Sequence, residues 1–315
     1  IMSKNIYVKE LSKHLNQEII ADFLVLQKEL REGKVQYIRL KLADNSGTIT
    51  ANVWNNAQSI SEKFKEGDVI RIKGEVRSYK KQLQLSVKKL KALDEVEFDL
   101  VDFLESTPKD VNNLSERLFK FIDEISDNYL KKLLQNIFEN KVFFTEFAKS
   151  PAAKTWHHNY IGGLLEHSIA VAGICEYASH NYNVNRDLLI TGALLHDIGK
   201  VREYTTKPQI DFSVEGRLVG HIPLGDRIVC EYVAGIDNFP PDLLMKLRHL
   251  ILSHHGEYEK ASARLPQTLE ATVLHYADNL DAQTIGIQQL IGSSQKDDAE
   301  WTEFDRINNR YYYLK

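Results

Sequence analysis

Residues 193–200 read ALLHDIGK, a run of small and apolar residues that closes on an adjacent histidine and aspartate. In apolar helical surroundings a lone histidine is ordinarily a core residue whose ring is hydrogen-bonded. His196 and Asp197 are not isolated, however, because ten of the eleven histidines of the chain follow residue 150. The meaning of this segment therefore depends on the other histidines and carboxylates of the second half.

Four other segments place a histidine or an aspartate in similar apolar, helical surroundings. They read GGLLEHSIAVA, LVGHIPLG, LILSHHGEYE and LHYADNLDA, and they contain His167, His221, His254-His255 and Asp278. Imidazole and carboxylate together suit manganese, iron, zinc, nickel or cobalt, whereas structural zinc sites are usually rich in cysteine. Because a carboxylate can also bridge two ions, the pattern predicts a metal centre for one or two divalent cations.

The order of these residues carries a resemblance. His167, His196-Asp197 and Asp278 match the H…HD…D pattern of the HD-domain phosphohydrolase superfamily, and the other histidines extend it to H…HD…H…HH…D. The longer pattern resembles HD-domain members that hold two metal ions, including the HD-GYP phosphodiesterases. That resemblance implies one ion on His167, His196, Asp197 and Asp278, and a second on His221, His254 and His255, with Asp197 bridging. Manganese is the expected metal, with cobalt, iron, magnesium and nickel as alternatives.

One departure from the HD-GYP pattern limits the substrate. The double histidine is followed by Gly256-Glu257-Tyr258 and not by Gly-Tyr-Pro. This disfavours a cyclic-dinucleotide phosphodiesterase.

Charged side chains beside the motifs are candidates for contact with a phosphate. Lys200 follows His196 by four residues, so a helical turn would direct its cation at the same centre and, with Asp197, make it a predicted catalytic residue. Arg217, in EGRLVGH, is a second phosphate candidate. Glu166 either orients a ligand imidazole or is simply solvated. His157 and His158 either contact substrate or are structural.

Residues 19–93 have a different pattern, with short runs in which apolar side chains alternate with polar ones. Turn signals that include Gly33 and the Lys80-Lys81 pair separate the runs, and a helical stretch at 57–65 follows the third. Five strands with a helix between the third and the fourth is the order of an OB-fold. The predicted strands are Ile19–Leu30, Val35–Leu42, Thr48–Trp54, Val69–Arg77 and Gln82–Leu90. The alternation of the last four predicts which side chains line the barrel interior: Ile38, Leu40, Leu42, Ile49, Ala51, Val53, Ile70, Ile72, Val76, Leu83, Leu85 and Val87.

The outward positions of these strands interleave aromatic rings with cations, a combination that suits single-stranded nucleic acid. The predicted binding residues are Tyr37, Arg39, Lys41, Trp54, Arg71, Lys73 and Arg77. The alternative is that the two rings pack against the other domain while the cations are solvated. The segment ADNSGTITANVW also resembles OB-folds of the anticodon-binding type.

Charge and composition separate the same two halves. Residues 1–93 hold 18 Lys+Arg and 10 Asp+Glu, a net charge of +8, and the remainder carries −12. We predict an all-β OB-fold barrel at 15–93, an acidic linker at 94–115, and an all-α HD domain at 116–315 with its core at 160–281. Within the helical half, Tyr204–Val219 is expected to form a small β-hairpin, and Thr107-Pro108 is expected to begin the first helix. We expect a cytoplasmic protein without a membrane partner, because neither a signal region nor an apolar run of about 18 residues is present.

Across residues 15–290 the arrangement resembles the YhaM-type 3′–5′ exoribonucleases of Gram-positive bacteria. The resemblance implies a manganese-dependent exonuclease of single-stranded RNA, and also of DNA, that releases nucleoside monophosphates. Two alternatives stay open: an HD-domain nucleotidase, and a single-stranded DNA-binding replication or regulatory factor. A homo-oligomer is also open, because the aromatic tail with Trp301, Phe304 and 311–313 could be an interface, a lid or ordinary packing.

Overall fold

The computed structural model describes residues 4–32, 35–80, 82–154, 156–206, 210–294 and 299–315. Gly33 and Lys81, which we assigned to turns, lie outside the described residues. The chain divides into two compact units, one that ends at Ser106 and one that comprises residues 107–205 and 210–315. The division falls inside the stretch 94–115.

The first unit is a closed five-stranded barrel, as the sequence predicts. Its strands are β1 (Glu18–Arg31), β2 (Tyr37–Asp44), β3 (Gly47–Val53), β4 (Val69–Tyr79) and β5 (Gln82–Ala92), with helix α1 (Ala57–Ser61) between β3 and β4. The order around the barrel is β1-β2-β3-β5-β4; β3 and β5 are parallel and all other neighbours are antiparallel. Helix α1 is shorter than predicted, because the Lys65 N–H already bonds the Asp68 carboxylate in the turn that leads into β4.

One long strand serves both sides of the barrel. Residues 18–24 of β1 pair with β4, and residues 24–31 pair with β2, with a bulge near Val25. The alternation of each strand sends one set of side chains inward. The predicted interior positions are buried except for Leu83, which is partly buried: Ile38, Leu40, Leu42, Ile49, Ala51, Val53, Ile70, Ile72, Val76, Leu85 and Val87.

Two segments outside the predicted boundaries 15–93 belong to this unit. A 3₁₀ helix, Val8–His14, inserts Leu11 fully into the barrel core. Before it, the ammonium of Lys4 forms a buried ion pair with Asp44 at 3.1 Å, and burial lowers the pKa of Lys4 although Asp44 opposes this shift. After β5, Phe103 is buried near the same lysine. The sequence missed these contacts because neither segment has a regular period.

The second unit is helical. Its helices are α2 (Val111–Asp123), α3 (Asn128–Phe138), α4 (Lys141–Lys149), α5 (Gly163–Ser179), α6 (Arg186–Leu195), α7 (Lys200–Glu203), α8 (Val214–Val219), α9 (His221–Val233), α10 (Pro241–Ser253) and α11 (Leu269–Ser293). Helix α5 is apolar on nearly all sides and packs against α6 and α11, as expected for a central helix. Of the described helices, none combines the length and hydropathy of a transmembrane segment.

Two local predictions in this unit need correction. The first helix is capped by Asp110, whose carboxylate accepts the N–H groups of Asn112 and Asn113, and not by Thr107. The hairpin is confirmed, but it consists of β6 (Tyr204–Thr205) and β7 (Asp211–Phe212) alone. Residues beyond it form α8, because the Ser213 hydroxyl caps a helix by accepting the N–H of Gly216.

Candidate metal centre

The predicted ligands come from separate helices, mostly at helix ends. His167 lies in the first half of α5, His196 and Asp197 directly follow α6, and His221 is the first residue of α9. His254 and His255 directly follow α10, and Asp278 lies in α11. The structure brings all of these side chains to one place, with His167, His196, Asp197 and His254 almost completely buried.

Three groups of potential ligand atoms form among the described residues; two of them face Asp197, and the third consists of His158, His167 and Asp281. In the first, His167 Nε2 lies 3.2 Å from His196 Nε2 and 3.1 Å from Asp278 Oδ1. In the second, His221, His254 and His255 bring one ring nitrogen each within 4.8 Å of the others. Each group offers three donor atoms at distances compatible with a shared metal ion.

The carboxylate of Asp197 faces both groups. Its Oδ2 lies 3.4 Å from the Nε2 atoms of His167 and His196. Its Oδ1 lies 3.4 Å from His221 Nε2 and 3.5 Å from His254 Nε2. Although burial alone would raise the pKa of Asp197, the nearby Lys200 ammonium and His196 hold it well below its usual value. Asp197 is therefore an ionised carboxylate with one oxygen directed at each group.

Hydrogen bonds to main-chain carbonyls fix three of the rings. The Nδ1 atoms of His196, His254 and His255 lie 2.6–2.8 Å from carbonyl oxygens. Because a carbonyl can only accept, Nδ1 carries the proton and Nε2 keeps its lone pair for the centre. Burial and the neighbouring His254 lower the pKa of His255 to about 3, which keeps this imidazole neutral.

Carboxylates orient the other two rings. His167 Nδ1 donates to Asp281 at 2.7 Å, and His221 Nδ1 donates to Glu203 at 3.0 Å. Neither carboxylate was predicted from the sequence. Asp281 had a visible signal, because it follows Asp278 by three residues on a helix and so shares its face. Glu203 had none, since it joins the site only through the close packing of α7 against α9.

Buried polar atoms without partners indicate that these residues fit a metal. The buried atoms Asp197 Oδ1, His221 Nε2 and His254 Nε2 have no hydrogen-bond partner among the described residues. Buried polar atoms without a partner are costly, and a divalent cation would satisfy all three. Among the described residues, imidazole and carboxylate groups that could hold a divalent metal are therefore present, as predicted.

A cavity of about 180 Å³ opens onto the centre. It is lined by His157, Asp197, Lys200, His255, Lys260, His275, Asp278, Asn279 and Ala282. Lys200 lies 2.5 Å from Asp197 Oδ2, at the predicted position beside the centre. Burial and the nearby His167 lower the pKa of His157 to about 3, so a neutral ring faces the cavity.

The remaining candidates of this unit lie elsewhere. Arg217 is paired with Asp211 at 2.9 Å, is largely exposed, and does not line this cavity as far as the structure is described. Glu166 contacts no ligand imidazole directly; it accepts hydrogen bonds from Tyr160 and Thr107.

The barrel divides the predicted nucleic-acid residues into two sets. The rings of Tyr37, which begins β2, and of Trp54, which directly follows β3, stack with centroids 4.5 Å apart. Arg39 and Lys41 of β2 line a groove of about 570 Å³, and neither forms an ion pair with any described residue. The groove continues along polar side chains of β1, β3 and β5: Gln27, Glu29, Arg31, Thr48, Thr50 and Gln82.

The cations of β4 are neutralised by carboxylates. Arg71 makes a two-pronged contact with Asp22 at 2.7 and 2.9 Å. Lys73 pairs with Glu18 at 2.8 Å, and Arg77 pairs with Glu75 at 2.9 Å. Because β4 and β2 are separated around the barrel by β1 on one side and by β3 and β5 on the other, these cations do not extend the β2 groove.

Family comparisons agree with both units. Residues 164–283 match the family model of the HD domain, and residues 24–93 match that of an OB-fold nucleic acid binding domain. The chain carries an HD domain behind an OB-fold. HD domains are metal-dependent phosphohydrolases, so the HD match supports a hydrolase.

Similar solved structures cover parts of the chain. A replication protein A heterotrimer bound to single-stranded DNA shares 12% identity in a match that covers 25% of this chain and 60% of that chain, with a TM-score of 0.22. The second OB-fold domain of replication protein A from Methanococcus maripaludis shares 22% identity over 30% of this chain and 97% of that chain, with a TM-score of 0.24. Asparaginyl-tRNA synthetase from Pyrococcus horikoshii shares 16% identity over 39% and 35%, with a TM-score of 0.25. The OB-fold assignment rests on the strand order and the family model.

Proposed function

We propose that the protein is a metal-dependent 3′–5′ exoribonuclease that hydrolyses the phosphodiester bonds of single-stranded RNA and releases nucleoside monophosphates, with single-stranded DNA as a second substrate. The observation that carries the proposal is Asp197, an ionised carboxylate between two groups of metal-binding side chains, in a chain that also has an OB-fold. The direction of cleavage and the choice of RNA rest on the resemblance of the motifs to the YhaM-type enzymes.

Two divalent cations are part of the proposal. His167, His196 and Asp278 would hold one, and His221, His254 and His255 the other, with one oxygen of Asp197 for each. Such cations polarise a phosphoryl oxygen and acidify water. Manganese suits a donor set that mixes imidazole and carboxylate, and it is the metal that the YhaM-type resemblance implies.

The other residues of the cavity would act on the phosphate. Lys200 borders both the cavity and Asp197, so its ammonium would stabilise negative charge that develops on the phosphoryl oxygens. His157 is partly buried, its Nδ1 atom is buried and unpartnered among the described residues, and this neutral ring would donate or accept a hydrogen bond at the substrate.

The barrel would hold the strand. Tyr37 and Trp54 offer aromatic faces for stacking, and Arg39 and Lys41 offer cations without internal partners for the phosphates. Neither contact reads a base edge, so binding would tolerate any sequence.

The test uses a 5′-labelled single-stranded RNA and protein stripped of metal by a chelator. With Mn²⁺ restored, we expect a ladder that shortens from the 3′ end. Asp197→Ala should abolish it, and the control Asp242→Ala, which removes an exposed carboxylate from an ion pair on α10, should leave it unchanged. Cleavage that is independent of Asp197 would overturn the proposal.

Two other results would favour the alternatives. Hydrolysis of mononucleotides without shortening of the RNA would indicate an HD-domain nucleotidase. A salt-sensitive gel shift without any cleavage would indicate a single-stranded nucleic-acid-binding factor.

A further inference from the structure

A network of hydrogen bonds between buried polar side chains runs outward from one ligand ring. His167 Nδ1 donates to Asp281 Oδ2 at 2.7 Å, and the same oxygen lies 3.0 Å from His158 Nε2. His158 Nδ1 lies 2.9 Å from the hydroxyl of Tyr160. The Tyr160 hydroxyl donates to Glu166 Oε2 at 2.9 Å. His167 and Glu166 belong to the same helix, α5, so the network starts and ends on adjacent residues near the beginning of that helix.

At its far end the network is held by the first residues of the second unit. Glu166 Oε2 accepts the Thr107 hydroxyl at 2.6 Å, and Glu166 Oε1 pairs with the Lys109 ammonium at 2.9 Å. Glu166 is therefore a buried carboxylate with three donors. Burial alone would raise the pKa of Glu166, but these hydrogen bonds and the neighbouring His158 lower this pKa to about 2.

The backbone at His158, which is part of this network, is strained. His158 has a φ of +49°, a left-handed conformation that is uncommon for a residue with a side chain. Its carbonyl oxygen lies only 2.0 Å from where a Cβ on Gly163 would stand, so glycine is required there for helix α5 to begin. A strained conformation persists where the surrounding contacts over-determine it, and it often marks a functional position.

This hydrogen-bond network also distinguishes His167 from most of the other ligands. His196, His254 and His255 each need only a nearby carbonyl to fix the ring. His167 instead uses a carboxylate that is itself held by His158 and, through it, by Tyr160 and Glu166. A carboxylate acceptor makes an imidazole a stronger ligand and fixes its orientation.

We propose that Tyr160 is a positioning residue of the metal centre, which acts through His158 and Asp281 on the ring of His167. This inference rests on the metal centre of the proposed function, and it goes beyond that function by adding a residue that touches neither metal nor substrate. The Tyr160 hydroxyl bridges His158 and Glu166 by hydrogen bonds, whereas His158 Nδ1 and Glu166 Oε2 themselves lie 3.8 Å apart. Its loss would leave His158 and Asp281 free to reorient and His167 less firmly held.

The test is Tyr160→Phe, which removes one hydroxyl and keeps the ring. Metal-stripped protein is titrated with Co²⁺ and with Mn²⁺ in competition with a chelator, and the visible spectrum of the Co²⁺ protein is recorded. We expect about tenfold weaker affinity at one of the two sites, the lower end of the range for residues behind a metal ligand, together with a changed spectrum. Tyr7→Phe is the matched control, because it removes a hydroxyl that donates to Asp102 at 2.6 Å in the other unit.

Two further variants give the effect a direction. Asp281→Asn removes the carboxylate that touches His167 and should weaken metal binding more than Tyr160→Phe. Lys109→Ala, at the half-exposed end of the hydrogen-bond network, should weaken metal binding less. Unchanged affinity and spectrum in Tyr160→Phe, with a wild type that binds two ions, would overturn this inference and leave the proposed function intact. A wild type that binds neither metal would overturn both.

Discussion

The metal centre and the β2 groove of the barrel are built in opposite ways. In the centre, each ligand ring is fixed by a hydrogen bond behind it, and most of its atoms are buried. In the groove, Arg39 and Lys41 are exposed and form no ion pair with any described residue. One region has its geometry set in advance, and the other leaves its cations available.

This difference predicts how each region responds to mutation. A preorganised centre concentrates its effect in a few atoms, so a single substitution should cost orders of magnitude in rate. A surface that binds a strand distributes its effect over many weak contacts, each worth a few-fold and each sensitive to salt. The experiments below sharpen or break this contrast.

After the complete loss of cleavage expected in Asp197→Ala, the largest effect is expected at Lys200. Replacement by Met keeps most of the side-chain volume and removes the ammonium beside Asp197, so kcat on single-stranded RNA should fall about a hundredfold. Lys200→Arg keeps a cation and should recover part of the loss. The measurement is single-turnover cleavage of a labelled RNA at saturating Mn²⁺. A hundredfold rise in KM with normal kcat would instead assign Lys200 to binding and remove it from the chemistry.

A smaller effect, on stability, is expected at Gly199. A Cβ there would lie 1.9 Å from the carbonyl oxygen of His221, so Gly199→Ala must push α7 away from α9. We expect a loss of about 1–3 kcal/mol in the free energy of unfolding, from overpacking alone.

The matched control is Gly173→Ala, in the middle of α5, where a Cβ would meet nothing within 4 Å. It should be neutral or stabilising, because alanine favours a helix over glycine by about 1 kcal/mol. Urea unfolding of the metal-free protein measures both variants. Equal stability of the two would mean that α7 and α9 are not closely packed at this point.

Much of this contrast could be predicted from the sequence, because it depends on periodic or local signals. Alternation identified the barrel strands, and the segment ALLHDIGK with its partner motifs identified the residues that meet at the centre. A strand period of two leaves few choices of which face is inward, which is why the predicted interior was correct at every position except the partly buried Leu83.

The residues behind the ligands could not be predicted in the same way. Glu203 and His158 come to lie behind the ligand rings through helix packing and a strained turn, and no spacing in the sequence encodes either position. Two of the ion pairs of β4 were missed for a related reason. The partners Glu18 and Asp22 lie some fifty residues upstream, and only the pairing of β1 with β4 brings them beside Lys73 and Arg71.

The smallest effect separates the two sets of barrel cations. The double variant Arg39→Ala, Lys41→Ala removes two cations that are available to phosphates, so affinity for single-stranded RNA should fall and the slope of log K against log salt should become shallower by about 1.4. The matched double variant Lys73→Ala, Arg77→Ala removes cations that are already paired with Glu18 and Glu75, and the slope should change little. Fluorescence anisotropy at four or more salt concentrations, with Asp197→Ala protein to prevent cleavage, measures both. Equal changes in slope would mean that the strand uses the β4 side as well, and that internal ion pairs do not decide which cations of the barrel bind phosphate.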